Sequence, residues 1–165
     1  MKILGVDPGT IVLGYGVVEN DRGCLKTVTY GSIKCQERLP LPERLRHLHG
    51  ELSRVIEQYQ PDELAIETPF VGENIKSALA IGKAQAIAML AASQHDMPVF
   101  EYSPAIIKRH VAGYGASSKE QVQEIVRLLL ELSEVPQPHD AADGLAVAIC
   151  HSREERLREI AAEGR

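Results

Sequence analysis

The sequence predicts an α/β fold in which a mixed five-stranded sheet is flanked by helices. Three strand-like segments come first, at residues 2–7, 13–19 and 25–35, and a short polar turn between the last two favours an antiparallel meander. Two further strand-like segments, at 63–67 and 97–101, alternate with helical segments. This order is typical of three antiparallel strands followed by strands joined through helical crossovers.

The helices are predicted from apolar residues at spacings of three and four. Such a pattern covers residues 42–59 and ends at Pro61. Residues 74–93 are apolar around most of the helix, which predicts that this helix is largely buried or pairs with another subunit. Glycines 14 and 16 interrupt a strand and indicate that another element packs closely against it. Shorter helices are predicted at 104–111, 119–132 and 140–151.

The composition indicates one soluble domain. The 165 residues are 44% hydrophobic, and no stretch approaches the ~20 consecutive apolar residues of a membrane span. The three cysteines never form Cys-x-x-Cys, which argues against a disulfide framework or structural zinc site. With no signal-peptide pattern, we expect a cytoplasmic protein. We expect one domain over residues 1–151, followed by a charged C-terminal extension at 152–165.

The net charge of −5 counts against a nucleic-acid-binding protein, because such proteins usually carry a basic excess. It does not exclude one, since a carboxylate-rich metal site adds negative charge and can conceal a local basic patch.

Four carboxylates stand out by their positions. Asp7 and Glu67 each end an apolar strand, where an ionised carboxylate needs a cation or several hydrogen bonds. Asp7 could instead cap the turn that follows it. Asp140 and Asp143 share one face at the start of the last helix, where the helix dipole also favours acids.

If these four carboxylates meet at one edge of the sheet, they are better explained as a functional site than as separate capping residues. Strand ends next to the central strand are where α/β proteins gather their sites. If the last helix crosses the same edge, the carboxylates would repel one another unless divalent cations neutralise them. Mg²⁺ prefers such oxygen ligands, and two metal ions can support phosphodiester hydrolysis.

Four segments of the chain closely resemble the RuvC-type Holliday-junction resolvases of bacteria. They are ILGVDPGTIVLGYGVV, LAIETPF, VFEYSPAIIKRHVAGYGASSKEQVQ and DAADGLAVAI, in order between residue 2 and about 151. The resemblance implies a ribonuclease-H-like fold, a homodimer, and paired symmetric nicking of four-way DNA junctions in recombination and DNA repair. It also implies two Mg²⁺ ions per active site, replaceable by Mn²⁺, and a branch-migration motor complex of the RuvA and RuvB type as partner.

The resemblance also assigns roles to individual residues. The metal-binding catalytic places fall on Asp7, Glu67, Asp140 and Asp143. The DNA-binding places fall on Phe70 as an aromatic wedge and on Lys108 and Lys119 near the scissile strand. Two residues depart from the family pattern, Ile11 and Glu73, both at positions that are often basic; Lys76 could compensate for Glu73. His139 could take a proton or metal role, or could be a loop residue.

Each proposed DNA contact also has an ordinary interpretation. Lys108 lies beside Arg109 and His110 in a basic cluster that could simply be a solvated face. Lys119 follows Ser118 at a helix start, where backbone N–H groups could hold a phosphate, or it could be a plain surface lysine. Phe70 could stack on bases or fold onto the core.

Three alternative functions stay open on the residues. A strand followed by Asp-x-Gly-Thr also opens the actin and sugar-kinase fold, although that fold needs two such domains. A junction-binding scaffold without catalysis would bind four-way DNA and leave it intact. A different ribonuclease-H-like nuclease could act on RNA–DNA hybrids.

Overall fold

The computed structural model describes residues 1–68 and 74–163, and five strands there form one mixed sheet in the order β3-β2-β1-β4-β5. Strand β1 pairs antiparallel with β2 and parallel with β4, so the predicted mixed five-stranded sheet is confirmed, and β1 is its central strand. The strands are β1 (Lys2–Asp7), β2 (Val12–Asp21), β3 (Cys24–Lys34), β4 (Glu63–Glu67) and β5 (Val99–Tyr102).

Helices cover both faces of this sheet. They are α1 (Leu41–Tyr59), α2 (Ile75–Ser93), α3 (Pro104–Ala112), α4 (Lys119–Leu129) and α5 (His139–Glu163). Helices α1 and α2 pack on the face that carries Leu4 and Ile66, whereas α3, α4 and α5 pack on the face that carries Ile3 and Ala65. Because side chains alternate along a strand, Asp7 and Glu67 emerge on the α5 face.

Small residues let α5 lie directly against the centre of the sheet. A Cβ atom added to Gly14 would lie 1.9 Å from the carbonyl oxygen of Asp140. A Cβ added to Gly144 would lie 2.6 Å from the Cα of Tyr15. The close packing predicted from Gly14 and Gly16 is therefore confirmed, and the packing element is α5. This contact positions the first turns of α5 beside the end of β1.

The ends of two helices differ from the sequence prediction. Helix α5 continues to Glu163 instead of ending at residue 151, because its Glu, Arg, Leu and Ala residues are good helix formers even without a core to cover. Helix α4 ends at Leu129 instead of residue 132, and Glu131 shortly beyond it adopts a left-handed conformation with φ of 53°.

Helix α2 is only partly covered within this chain. Its buried positions are mostly alanines that face α1 and the sheet. Three large apolar side chains remain exposed, at 63% for Ile75, 61% for Leu79 and 48% for Leu90. By length and composition α2 could also cross a membrane, although its alanine face packs on the core here.

Candidate active site

Asp7 ends β1 and lies where the sheet, α4 and α5 meet. Burial raises the pKa of Asp7 to about 7, and the neighbouring carboxylates of Asp143 and Asp140 add to this effect while Lys119 opposes it. Within residues 1–68 and 74–163, no hydrogen bond joins the Asp7 carboxylate to the turn that follows it. The carboxylate therefore faces other acids, and turn capping does not account for its position.

The carboxylates of Asp140 and Asp143 lie next to that of Asp7. Oxygen atoms from these three residues all lie within 4.8 Å of one another. Asp140 and Asp143 reach this position because Gly14 and Gly16 allow α5 to approach β2. Residues separated by more than 130 positions in the chain thus form one acidic cluster.

Glu67 ends β4 and joins this site from the neighbouring strand. Burial raises the pKa of Glu67 to about 8, with further contributions from Asp7 and Asp143. The chain leaving β4 is held in place because the backbone N–H of Thr68 donates to the carbonyl of Tyr102 at 2.8 Å. Glu67 is not one of the three residues whose oxygen atoms lie within 4.8 Å of one another.

A cavity of about 210 Å³ opens over these carboxylates. Asp7, Glu67 and Asp143 form its acidic side, and Lys108 and Lys119 form its basic side. The remaining wall is apolar and comes from Pro104, Ile107, Val122 and Ala146. This apolar wall is not predicted from the sequence. The sequence hints at it only through position, since Ile107 is next to Lys108 and Val122 is one helical turn after Lys119.

Lys119 forms an ion pair with Asp143, at 2.6 Å between Nζ and Oδ2. Burial alone would lower the pKa of Lys119, but its hydrogen bond to Asp143 and the charges of Asp7 and Asp140 raise it overall. Helix α4 presents Lys119 in its first turn because Ser118 and Gln121 form a reciprocal capping box. The lysine therefore has a defined partner in the acidic cluster.

The structure places the other predicted residues as follows. Lys108 lines the cavity, and its charge opposes the rise in the pKa of Glu67. Lys76 is exposed in the first turn of α2 and does not line the cavity. His139 is the exposed first residue of α5 and is not a member of the acidic cluster. Phe70 and Glu73 lie outside the described residues.

These donors fit a hard divalent cation such as Mg²⁺. All four acidic side chains offer carboxylate oxygens, which Mg²⁺ and Mn²⁺ prefer. The raised pKa values of Asp7 and Glu67 show that the amines nearby do not offset the burial and repulsion of these carboxylates. A bound cation would keep both carboxylates ionised at neutral pH.

Comparison with known proteins identifies the family. The family model described as "Crossover junction endodeoxyribonuclease RuvC" matches residues 3–151. A protein of that name from Dehalococcoides mccartyi is 57% identical over 164 residues, covering 99% of this chain and 98% of the relative. The corresponding Chloroflexus aggregans protein is 49% identical over 152 residues, covering 92% and 93%.

A solved structure gives the same result. "T. thermophilus RuvC in complex with Holliday junction substrate" superposes with a TM-score of 0.89 at 32% identity, covering 95% of this chain and 96% of that one. The ribonuclease-H-like fold implied by the sequence resemblance is thereby confirmed. The chain belongs to the RuvC family of crossover junction endodeoxyribonucleases.

Proposed function

We propose that this protein resolves four-way DNA junctions by paired symmetric nicks in a Mg²⁺-dependent reaction, during recombination and DNA repair. The cluster of Asp7, Asp140 and Asp143 within 4.8 Å, with Glu67 beside it, carries the proposal. The similar Thermus thermophilus RuvC in complex with a Holliday junction supports the choice of substrate.

Asp7, Glu67, Asp140 and Asp143 would hold two Mg²⁺ ions, and Mn²⁺ could replace them because it takes the same ligands. Bound metal ions supply an activated water and stabilise the leaving 3′-oxygen of a phosphodiester. The carboxylates fix the positions of these ions because they project from a strand end, a neighbouring strand end and a helix start, all of which are packed in the core.

Lys119 and Lys108 would hold the scissile phosphate over the acidic cluster. The side chain of Lys119 is 57% exposed, so it can donate to a phosphate while it remains paired with Asp143. The apolar wall around Ile107 and Val122 limits the water in contact with the cavity and strengthens these electrostatic interactions. We assign Phe70 and Lys76 to DNA binding from the family resemblance.

Paired nicks require two active sites, so we propose a homodimer that uses α2. The exposed Ile75, Leu79 and Leu90 lie on one stripe of this helix, because their separations of four and eleven residues are close to whole numbers of turns. A motor complex of the RuvA and RuvB type as partner and a cytoplasmic location also belong to the proposal.

The test uses a labelled synthetic four-way junction with a short mobile core. We expect paired symmetric nicks that require Mg²⁺, and we expect Asp7→Asn to bind the junction without cutting it because the lost carboxylate serves the metal site. A linear duplex is the substrate control.

The other outcomes separate the alternatives. Binding without nicks in Mg²⁺ or Mn²⁺ would favour a junction-binding scaffold, and preferred cleavage of an RNA–DNA hybrid would favour a different nuclease. ATP hydrolysis without DNA cleavage would favour a phosphotransferase. Normal cleavage by Asp7→Asn would show that the metal-site assignment is wrong.

A further inference from the structure

A second group of potential metal ligands lies at the other end of the contact between β4 and α5. It comprises Glu63, His151 and Glu155, and one donor atom from each lies within 4.8 Å of the other two. Glu63 begins β4 whereas Glu67 ends it, so the two sites are about 13 Å apart along the strand. The proposed junction cleavage makes no use of this second group.

His151 is the fixed centre of the group. Its side chain is fully buried, and Phe100 packs against the imidazole with ring centroids 4.5 Å apart. The Nδ1 atom is hydrogen-bonded to the hydroxyl of Tyr102 at 2.7 Å, and the Nε2 atom to Glu63 at 2.6 Å. The ring therefore has one orientation, and Nε2 points toward the carboxylate side.

Glu155 supplies an unsatisfied carboxylate on that side. It lies four residues after His151 and so shares its helix face. Over the part of the chain that the structure describes, Glu155 forms no hydrogen bond or ion pair. Its pKa is raised by burial and then by the charge of Glu63, while His151 and Arg158 lower it and Glu159 raises it.

This arrangement differs from an ordinary patch of surface acids in two respects. First, one of its donor atoms is a nitrogen of the buried His151 imidazole. Second, that ring is held by a hydrogen bond to Tyr102, which is not itself one of the three ligands. Burial raises the pKa of Tyr102 to about 12, so its hydroxyl stays neutral and available for hydrogen bonding. An outer hydrogen bond to a ligating histidine is a regular feature of metal sites, because it sets the tautomer and the ring orientation.

We propose that Glu63, His151 and Glu155 form a second cation site, with one nitrogen and two oxygen ligands, that takes Zn²⁺. Three protein ligands and a water complete a tetrahedral zinc site, with bonds of about 2.0–2.2 Å. Such bonds place neighbouring ligand atoms about 3.4 Å apart. The Glu63 oxygen lies 2.6 Å from Nε2 of His151, so zinc binding would require it to move away from the ring by under about 1 Å. Glu155 would rotate toward the ion, which is possible because this side chain is partly exposed.

The neutral imidazole of His151 can adopt the tautomer that this role requires. Neutral histidine carries its proton on one nitrogen and leaves the other free to bind a metal. In the zinc-bound form the proton is on Nδ1 and is donated to the hydroxyl oxygen of Tyr102. The imidazole also separates the two sites chemically, because nitrogen ligands suit Zn²⁺ while the all-carboxylate site suits Mg²⁺.

The test counts zinc ions bound to the full-length protein by equilibrium dialysis against Zn²⁺ in excess Mg²⁺, which occupies the all-carboxylate site. We expect wild type to hold one more Zn²⁺ per chain than either Glu155→Gln or Glu63→Gln. Glu159→Gln is the matched control, because it removes a carboxylate one turn beyond Glu155 without removing a ligand. Cobalt absorption spectra of the same proteins report whether the site is tetrahedral.

The proposal also predicts a difference in stability. Zinc should raise the thermal unfolding midpoint of wild type and Glu159→Gln by more than that of Glu155→Gln, since it joins β4 to α5. Glu155 is only partly buried and is not part of the apolar core, so we expect its substitution to leave the core unchanged. Equal zinc counts in wild type, Glu155→Gln and Glu63→Gln would overturn the proposal, as would loss of the ion in Glu159→Gln. These readouts do not depend on junction cleavage.

Discussion

At the scale of single residues, Asp7 and Glu67 illustrate how burial and like charge act together. Their pKa values rise to about 7 and about 8, from 3.8 and 4.5 for the free groups. Folding therefore favours the protonated forms in the absence of metal. A bound divalent cation, as proposed above, would reverse this preference, and stability would then depend on both pH and the cation.

The first prediction concerns Asp7→Asn in the absence of divalent metal. Wild type binds more protons when folded than when unfolded, so its stability falls as pH rises from about 4 to about 8. The amide has no charge to bury. We expect Asp7→Asn to be more stable than wild type at pH 8, by about 1–3 kcal/mol, with little difference at pH 4.

Denaturant unfolding in a chelator, measured across this pH range, tests the prediction. Adding Mg²⁺ at pH 8 should stabilise wild type more than the variant, because the ion needs the ionised carboxylate. A constant difference between the two proteins at every pH would contradict the assignment of Asp7 to a desolvated, repulsive site.

The second prediction concerns Lys119, which is paired with Asp143 at 2.6 Å. Replacing it with alanine removes a positive charge from the cavity where charge would develop on the phosphate. We expect the rate of nicking to fall by about 100-fold or more, a typical loss for one such group. Single-turnover cleavage measures the rate, and a separate binding assay measures the affinity.

Lys26→Ala provides the control, because Lys26 is exposed at the start of β3 and does not line the cavity. Its nicking rate should match that of wild type. Equal rates for Lys119→Ala and Lys26→Ala would return Lys119 to the role of an ordinary surface lysine.

At the scale of elements, the contact of α5 with β1 and β2 positions two of the three residues of the acidic cluster. Both Asp140 and Asp143 lie in the first turns of α5, and that end of the helix rests on glycines. The middle part of the same helix carries His151 and Glu155. The seating of one helix on the sheet therefore determines the geometry of both groups of ligands.

The third prediction follows from the glycine contact. A Cβ at position 14 would lie 1.9 Å from the carbonyl oxygen of Asp140, so Gly14→Ala must displace α5 or β2. We expect a loss of stability of about 1–3 kcal/mol, as for other overpacked sites. We also expect weaker Mg²⁺ binding, because Asp140 and Asp143 would move away from Asp7.

Gly50→Ala is the matched control for this experiment. Gly50 lies within α1, and a Cβ there meets no atom within 4 Å in the described parts of the chain. We expect a gain of about 0.5–1 kcal/mol from improved helix propensity. If Gly14→Ala were as stable as Gly50→Ala, the close contact between α5 and β2 at Gly14 would be contradicted.

At the scale of the whole molecule, charge and apolar surface are distributed unevenly. The chain has a net charge of −5, yet Lys108 and Lys119 both face the cavity. The exposed apolar stripe of α2 lies on a different helix from those lysines. This separation would let a dimer form through α2 while each chain keeps its own cavity open to DNA.

The fourth prediction concerns assembly. Replacing Leu79 with glutamate places a charge in the α2 stripe, and we expect the proposed dimer to dissociate into folded monomers. Leu128→Glu makes the same change at a leucine on α4 of similar exposure, 57% against 61%, and should stay dimeric. Sedimentation at several protein concentrations distinguishes the two species. A dimer that withstands Leu79→Glu would exclude this interface.

Local pattern accounts for the parts of the structure that could be predicted from sequence. Apolar residues at alternate positions identified the strands, and apolar residues three or four positions apart identified most of the helices. Gly14 and Gly16 indicated that another element packs closely against β2. The sequence pattern does not predict the end of α5, because most residues after Ser152 are exposed and show no apolar periodicity. Their helix is instead supported by intrinsic propensity and by continuity with the buried part of α5.

By itself, the sequence determined the order of the elements, the mixed sheet, and the placement of Asp7 and Glu67 at strand ends, because these features depend on neighbouring residues. Only the tertiary structure decided that Lys119 pairs with Asp143 and that Glu63 meets His151. These pairs join distant segments, and their contacts depend on how closely α4 and α5 pack on the sheet. The chemical type of each side chain is known from the sequence alone, whereas which distant side chains come into contact is decided by the packing of the folded chain.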